Sequence, residues 1–308
     1  MSWQKHITVI GGANMDIQGY PLEALRRHDS NPGAVRVTPG GVGRNVAENL
    51  ARLGVSVDLI TAVGADDPGK TILRGARDAG ISCDASLTAE HGQTATYLAV
   101  LDERGDMDVA IIQSGIYALL DRTHVEKHKS TVESSAALVL DTNLEVELLH
   151  YLCTAFQHLP IFIDPVSSVK AEKLVSLFSC IHTLKPNERE AEALTGVSCD
   201  TDRGCLSAAA ALRAHGVQNV VITRGERGYV IADRTGPSLI PAVHSQVVSA
   251  TGAGDAFMAG LVYGFLGGHG LSRAAEYGRV LSSWALGAGA TIASNISAQR
   301  LEKEVKNQ

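Results

Sequence analysis

Short runs of apolar, largely β-branched residues alternate with amphipathic stretches along most of this chain of 308 residues. The pattern predicts strands at residues 7–10, 57–63, 136–140, 161–163, 181–184 and 219–223. It predicts helices at residues 43–53 and 68–80, and further helical stretches separate the later strands. Because strands and helices alternate, the chain is expected to form repeated βα units around a mostly parallel sheet, which is an α/β fold.

One stretch departs from this alternation. Residues 94–101 and 107–112 are predicted to be two strands joined by the polar turn 102–106, as in a β-hairpin. With short strands at 17–20 and 35–37, the hairpin is predicted to form a small antiparallel sheet that stands off the main one as a lid. The alternative is an antiparallel edge of the main sheet. Residues 1–308 are expected to form one domain, since no linker rich in Pro, Ser and Gly divides them.

Composition excludes several classes of protein. With 45% hydrophobic and 19% charged residues, the chain is apolar enough to bury a large core. Its 27 basic and 33 acidic residues give a net charge of −6 without a block of like charges, which disfavours nucleic acid as a partner. No apolar run approaches the ~20 residues that cross a bilayer, so no membrane association is expected. Five cysteines without a CxxC pair are expected to be idle thiols in a cytoplasmic protein.

Residues 64–71 match the phosphate-binding pattern G-x-x-x-x-G-K-[ST]. Such a loop points backbone N–H groups at an anion, whereas Asp66 and Asp67 bring carboxylates there and Pro68 has no N–H to offer. The segment is therefore predicted to be a strand-to-helix turn, in which Lys70 binds no phosphate.

A second glycine-rich segment, residues 248–260, places small residues before an apolar helix. An anion can approach the N–H groups of Gly252, Ala253 and Gly254, where the helix dipole also favours negative charge. Asp255 in the same turn suits a general base that takes a proton from an attacking hydroxyl. The alternative is an ordinary helix start, in which Asp255 only complements the dipole.

A third cluster, residues 38–45, also opens a helix. Gly40 and Gly41 let the main chain approach a ligand, and Asn45 offers both a donor and an acceptor. Arg44 could touch either a ligand or a neighbouring carboxylate.

Polar residues also follow the first predicted strand, at an edge where open α/β sheets bind ligands. Asn14 and Asp16 lie there, and the Asp16 carboxylate can accept hydrogen bonds from two adjacent sugar hydroxyls. The alternative is a plain turn residue.

Asn187 and Glu190 lie at the start of a predicted helix and are three residues apart, so they share one face. They could hold a hydrated Mg²⁺ beside phosphates. The alternative is a capping box, in which the two side chains satisfy the helix start.

In this order the motifs resemble the ribokinase-like carbohydrate kinases, also called the phosphofructokinase B family. The resemblance rests on Asn14 and Asp16, residues 40–45 (GGVGRN), 185–190 (KPNERE), 223–225 (TRG) and 251–255 (TGAGD). It implies a three-layer fold with a β-sheet lid that takes part in a homodimer. It also implies transfer of the γ-phosphoryl group of ATP, with Mg²⁺, to a primary hydroxyl. The nucleotide would contact Asn187, Thr223, Gly225, Gly228, Gly252 and Gly254.

Residues 29–33, 38–45, 141–143 and 163–166 are similar to the pseudouridine kinase branch of that family. The similarity implies that the 5′-hydroxyl of a nucleoside is phosphorylated, with Asp16, Gly41 and Asn45 on the ribose. The side chains expected to contact the uracil ring are Asp29, Ser30, Asn31 and Asn143.

Two alternatives stay open. One is a kinase for a simple sugar or another nucleoside, and the other is a non-catalytic ligand-sensing module of the same fold. Many relatives also carry Asp-Thr, associated with a monovalent-cation site, where this chain has Ser249-Ala250. The resemblance therefore leaves potassium activation undecided.

Overall fold

The computed structural model describes residues 6–242, 251–288 and 291–307. Within them the strands are β1 (His6–Ile10), β2 (Asn14–Pro21), β3 (Gly33–Gly40), β4 (Ser56–Ile60), β5 (Ala62–Gly64), β6 (Leu87–Ala89), β7 (Thr96–Leu101), β8 (Met107–Gln113), β9 (Ala137–Asp141), β10 (Ile161–Asp164), β11 (Thr183–Leu184), β12 (Asn219–Thr223), β13 (Tyr229–Asp233) and β14 (Gly236–Ile240).

The α-helices within these residues are α1 (Val42–Arg52), α2 (Asp67–Asp78), α3 (Arg122–Lys127), α4 (Lys129–Glu133), α5 (Val146–Ala155), α6 (Ser168–Ala171), α7 (Glu188–Thr195), α8 (Asp202–Ala214), α9 (Ala253–Leu266), α10 (Leu271–Ala288) and α11 (Ala298–Lys306). Short 3-10 helices occur at Gly115–Leu119, Glu172–Leu174, Phe178–Cys180 and Gly225–Arg227. No helix in the described ranges is both long enough and apolar enough to cross a bilayer.

The central sheet has eight strands in the order β14-β13-β12-β11-β10-β9-β1-β4. The six strands from β12 to β4 are parallel, and β13 and β14 continue the sheet antiparallel. The prediction of a mostly parallel sheet is confirmed. Every residue of β9 is buried, as expected for a parallel strand that is covered on both faces.

Helices cover both faces of this sheet and make a three-layer arrangement. On β1, Ile10 packs into a core with residues of α5, α7 and α8. Val9 points the other way, into a core with residues of α1, α9, α10 and α11. This alternation along a strand sets the two cores on opposite faces.

The smaller sheet is hydrogen-bonded separately from the central one, in the order β3-β2-β7-β8. The prediction of a separate sheet from these segments is confirmed, but the prediction that it is fully antiparallel is wrong, since β2 and β7 pair in parallel. The reason is that two hairpins, β2–β3 and β7–β8, start side by side at the same base, where Met15 N donates to Ala95 O at 2.9 Å. The first strands of the two hairpins therefore run in the same direction.

The strand predicted at residues 57–63 is divided at Thr61. Residues before it belong to β4 of the central sheet, whereas β5 pairs with β6 in a separate two-stranded sheet. The Thr61 carbonyl accepts from Leu87 N of β6, the partner strand of β5, at 2.8 Å. One continuous apolar run thus supplies a strand to each of two sheets, β4 to the central sheet and β5 to the two-stranded sheet.

Candidate active site

Charged side chains follow neighbouring strands at the carboxyl edge of the central sheet. Asp141 ends β9, Asp164 ends β10 and Lys185 follows β11, and all three are buried. The carboxyl ends of parallel strands are where open α/β sheets bind ligands. None of the three was predicted to have a role, although a charged residue directly after a buried apolar strand is a signal that could have found them.

Helix α9 begins at this edge with an uncapped first turn. Gly252 at the N-cap has φ 82°, a conformation that favours glycine, and a side chain there would lie 2.1 Å from Thr291 O. Glycine offers no side chain to bond the first helical amides, so those of Ala253 and Gly254 suit an anion. The structure thus gives the predicted anion-binding segment the expected helix-start geometry.

Asp255 lies in the first turn of α9 and is only 9% exposed. Asn45 of α1 donates from Nδ2 to Asp255 Oδ2 at 2.8 Å. Two residues predicted from separate motifs, 210 positions apart, therefore meet in one site.

The electrostatic surroundings prepare Asp255 to hold a proton. Burial, and secondly the carboxylate of Asp164, raise the pKa of Asp255 to about 7, against the opposing effects of the Asn45 hydrogen bond and of Lys185. A carboxylate with a pKa near neutrality is matched to general-base work at physiological pH. The local structure therefore fits the predicted role of Asp255.

Lys185 supplies positive charge beside this carboxylate. Its Nζ lies 3.0 Å from Asp164 Oδ2, and a side chain at Gly254 would lie 3.4 Å from the same Nζ. Burial alone would lower the pKa of Lys185, but Asp164 and other nearby carboxylates raise it above its ordinary value. A charged ammonium is thus held next to the first turn of α9.

Asn187 and Glu190 form the capping box that was the alternative interpretation. Asn187 Oδ1 accepts from Glu190 N at 2.9 Å, and Glu190 Oε2 accepts from Asn187 N at 2.8 Å. A cap does not use every lone pair of a carboxylate, so magnesium binding stays a prediction. Burial, and secondly Asp164, raise the pKa of Glu190 against the opposing effect of Lys185.

The side-chain oxygens of Asn187 and Glu190 fit a Mg²⁺ ion whose other ligands are water and phosphate oxygens. Within the part of the chain that the structure describes, no group of three or more His, Cys, Asp or Glu is arranged to hold a metal. Mg²⁺ is commonly bound by one or two carboxylates together with water and phosphate oxygens. Glu190 and the Asn187 amide oxygen are suitable hard donors for such a site.

The residues predicted to hold a sugar lie at the base of the small sheet and at the start of α1, where Asn45 contacts Asp255. Asn14 Nδ2 donates to Asp16 Oδ1 at 2.5 Å, and Asn14 is paired with Gly40 across β2 and β3. Gly41 has φ 96°, and a side chain there would lie 2.5 Å from Gly12 O. Close approach of two backbone segments thus requires glycine at position 41. Burial raises the pKa of the half-buried Asp16.

Asn143 is held beside Gly12 by a lysine that the sequence analysis missed. Lys170 Nζ donates to Asn143 Oδ1 at 2.6 Å, so the Asn143 oxygen is directed to Lys170. Burial lowers the pKa of Lys170. A half-buried lysine on the short helix α6 has no distinctive sequence signal, because its contact with Asn143 exists only in the folded chain.

Between these residues the chain adopts a strained turn. Val166 has φ 62°, which is unusual for a β-branched residue, and its N–H donates to Asp164 Oδ1 at 2.9 Å. This hydrogen bond adds a second fixed contact to the carboxylate that also pairs with Lys185. The strained backbone thus lies next to the buried ion pair.

Asp29, Ser30 and Asn31 lie in the exposed loop between β2 and β3. Asn31 Oδ1 accepts from Arg26 N at 2.7 Å, and Asp29 Oδ1 accepts from Ser30 N at 2.7 Å. The hydrogen bonds shown for these side chains stay within the loop, so their predicted contact with a uracil ring remains a prediction.

The predicted nucleotide region follows β12. Thr223 forms a bridge with Asn187, which places it beside the capping box, and the next 3-10 turn begins at Gly225 and is followed by Gly228. Arg224, directly before this turn, is buried against Glu188 and Asp202, so it anchors the turn. Ser249-Ala250, which bears on potassium, lies outside the described residues.

The phosphate-loop pattern at residues 64–71 is a capped helix start, as predicted. Asp66 Oδ1 accepts from Gly69 N at 2.9 Å, and Asp66 Oδ2 accepts from Thr94 N at 2.8 Å. A side-chain carboxylate therefore occupies the position of an anion at α2. Lys70 is exposed and pairs with Asp67 at 3.7 Å.

Comparison with known proteins agrees with this geometry. The model of a family described as pfkB family carbohydrate kinase matches residues 4–298. The pseudouridine kinase of Escherichia coli (strain K12) is 35% identical over 308 residues, which cover 100% of this chain and 98% of that protein. A carbohydrate kinase from Agrobacterium tumefaciens is 28% identical, with a TM-score of 0.85 and coverage of 98% of this chain and 97% of that chain. The Arabidopsis thaliana ribokinase complexed with ribose and ATP shares the fold, with a TM-score of 0.85, 22% identity and coverage of 98% and 99%.

Proposed function

Because the chain belongs to the pfkB family of carbohydrate kinases, we propose that it is a pseudouridine kinase, which transfers the γ-phosphoryl group of ATP to the 5′-hydroxyl of pseudouridine. Family membership makes it a sugar or nucleoside kinase, and the relative from E. coli, identical at 35% of positions over the full chain, supports the finer assignment. The observation that carries the proposal is the Asn45–Asp255 hydrogen bond at the uncapped start of α9.

In the proposed reaction Asp255 takes the proton of the 5′-hydroxyl as that oxygen attacks the γ-phosphorus. A new O–P bond forms, the bond to the bridging oxygen of the β-phosphate breaks, and ADP leaves with its electron pair. The amides of Gly252, Ala253 and Gly254 would stabilise charge on the transferred group, with Lys185 close by. These groups are in place before reaction, so little reorganisation is needed.

ATP and Mg²⁺ are assigned to the neighbouring residues. Asn187 and Glu190 would hold the metal, mostly through water, and Mg²⁺ when bound would neutralise phosphate charge. Thr223, Gly225 and Gly228 would line the nucleotide.

The nucleoside is assigned to the opposite side of Asp255. Asn14, Asp16, Gly40, Gly41 and Asn45 would hold the ribose, and Asn143 would contact the uracil ring. Lys170 supports that assignment, because its bond to Asn143 Oδ1 fixes the orientation of the Asn143 amide. Asp29, Ser30 and Asn31 would approach the ring if the small sheet closes over the site as a lid.

A homodimer through the small sheet is part of the proposal. Val37, Ile17, Leu98 and Ile111 lie in register across its four strands, on the face opposite Asp16. Val37 is 57% exposed and Ile111 65% exposed, and an apolar sheet face of this kind is typical of an interface. A cytoplasmic location is also proposed, supported by five cysteines that are all free.

The test is an ADP-release assay with ATP and Mg²⁺ over pseudouridine, uridine, adenosine, ribose and fructose 6-phosphate. The proposal expects the highest kcat/KM with pseudouridine. A higher value with another acceptor would replace the substrate and keep the kinase. Binding of one of these compounds without ADP release, measured by calorimetry, would favour the ligand-sensing alternative.

A further inference from the structure

Arg44 is a buried cation that contacts Asn45, and Asn45 in turn contacts Asp255, the proposed general base. It lies in the first turn of α1 and is 8% exposed. Its Nη1 donates to Pro39 O and to Asn45 Oδ1, each at 3.1 Å, while its Nη2 contacts the Glu48 carboxylate. Burial lowers the pKa of Arg44, but a guanidinium paired with a carboxylate stays protonated at physiological pH.

The Asn45 side chain therefore lies between Arg44 and Asp255. A guanidinium only donates hydrogen bonds, and an ionised carboxylate only accepts them. One orientation of the Asn45 amide satisfies both neighbours, with Oδ1 toward Arg44 and Nδ2 toward Asp255. In the other orientation, two donors would meet at Arg44 and two acceptors at Asp255.

We propose that Arg44 is a positioning residue, which fixes the Asn45 amide so that Nδ2 always donates to the carboxylate of Asp255. The amide orientation follows from the contacts alone, and only its importance for proton transfer rests on the proposed function. Without Arg44 the amide can rotate and offer its oxygen to a protonated Asp255. That rotation would stabilise the neutral acid, which cannot act as a base.

The other groups around Asp255 lack this adjustable character. Asp164 on β10 and Asp141 on β9 repel the ionised form, and Lys185 after β11 attracts it. The sign of each of these effects is fixed by charge. The Asn45 amide differs because a half-turn about its side chain replaces a donor with an acceptor, so the group that controls its orientation also controls Asp255.

Helix α1 offers a matched control for a merely structural role of Arg44. Arg52 pairs with the same Glu48 carboxylate, from Nη2 to Oε1 at 2.7 Å, and lies two turns further along the helix. Arg52→Met therefore removes the same charge and a comparable ion pair at a distance from Asn45. Arg44→Met leaves Glu48 paired with Arg52, which limits the cost of an unpaired buried carboxylate.

The experiment compares Arg44→Met, Arg44→Lys and Arg52→Met with the unaltered protein. The Cγ chemical shift of Asp255 is titrated by NMR without substrate, and kcat and KM are measured over about pH 5 to 9. Arg44→Met should raise the midpoint for Asp255 by about one pH unit and move the acid limb of kcat by the same amount. Arg44→Lys, which keeps a donor-only cation, should recover part of the shift, and Arg52→Met should cause none.

Two results would overturn the proposal: an unchanged Asp255 midpoint in a folded Arg44→Met protein, or equal shifts in Arg44→Met and Arg52→Met. If Arg44→Met does not fold, Arg44→Gln takes its place, because a glutamine amide can accept as well as donate and no longer fixes the Asn45 orientation; an unshifted Asp255 midpoint in Arg44→Gln then refutes the proposal. The NMR shift needs no substrate. A shifted midpoint in a protein that phosphorylates nothing would therefore refute the proposed function while supporting this role of Arg44.

Discussion

Asp255→Asn should make the protein more stable at alkaline pH while it removes the proposed base. The folded protein holds the pKa of Asp255 at about 7, whereas the pKa of an exposed aspartate is 3.8. A raised folded pKa means that protonation favours the fold. Its contribution is fully present below the unfolded pKa and is lost as the pH rises through the folded one.

The size of the effect follows from those two values. Because the carboxyl ionises more readily in the unfolded chain, burying Asp255 costs the folded state about 2 kcal/mol at pH 5, where the folded group is still protonated, and about 4 kcal/mol at pH 8, where it is ionised. Asparagine has nearly the same shape and no charge, so the variant avoids this cost at both pH values. The difference in free energy of unfolding between variant and parent should therefore grow by about 2 to 3 kcal/mol between pH 5 and pH 8.

Urea unfolding followed by tryptophan fluorescence at the two pH values measures the difference. Asp67→Asn is the control, because Asp67 is 97% exposed and its charge is already solvated. In the same preparations Asp255→Asn should lower kcat by at least ~10²-fold. A stability difference that does not change with pH would refute the idea that Asp255 is a buried carboxylate with a raised pKa, and near-normal turnover would remove it from the base role.

Three further changes test other parts of the structure. Lys70→Ala should leave the KM for ATP within about twofold, because Lys70 is exposed and paired with Asp67; a selective rise in steady-state KM would revive the phosphate-loop interpretation. Lys170→Met should raise the KM for pseudouridine about tenfold with little change in the KM for ATP, since it releases the Asn143 amide; equal changes in both KM values would contradict this. Ile111→Asp should convert a dimer to a monomer in analytical ultracentrifugation, because it places a charge on the exposed apolar face; an unchanged sedimentation coefficient would place the interface elsewhere or show that the unaltered chain is already a monomer.

The helices and strands of the core could be predicted from the sequence because buried segments have a strong pattern of apolar residues. The strand predicted at residues 219–223 coincides with β12, and the helix predicted at 43–53 differs from α1 by one residue at each end. Both segments lie largely in the core. By contrast β14 contains Pro237 and is mostly exposed, so its sequence resembles a loop.

Site residues could be predicted from the sequence only where a short local motif has the residue types that the chemistry needs. The glycines before Asp255 predict a helix start that can bind an anion, and this prediction uses neighbouring residues alone. The Lys185–Asp164 pair depends on two strands being neighbours, and the Lys170–Asn143 bond on a short helix folding back over β9. Such contacts join positions that are far apart in the chain and have no local pattern.

The division of the site between two sheets bears on whether ATP phosphorylates the nucleoside or is hydrolysed by water. Asp16 is carried by β2 of the small sheet, whereas the anion-binding turn and Asp255 belong to α9 against the central sheet. In the proposed reaction a ribose held by Asp16 brings its own hydroxyl to the phosphate, whereas a water molecule would reach Asp255 without any contact with β2. The preference for the ribose hydroxyl over water as phosphoryl acceptor would then depend on β2. A variant that loosens β2 and keeps α9 intact would hydrolyse ATP without phosphorylating the nucleoside.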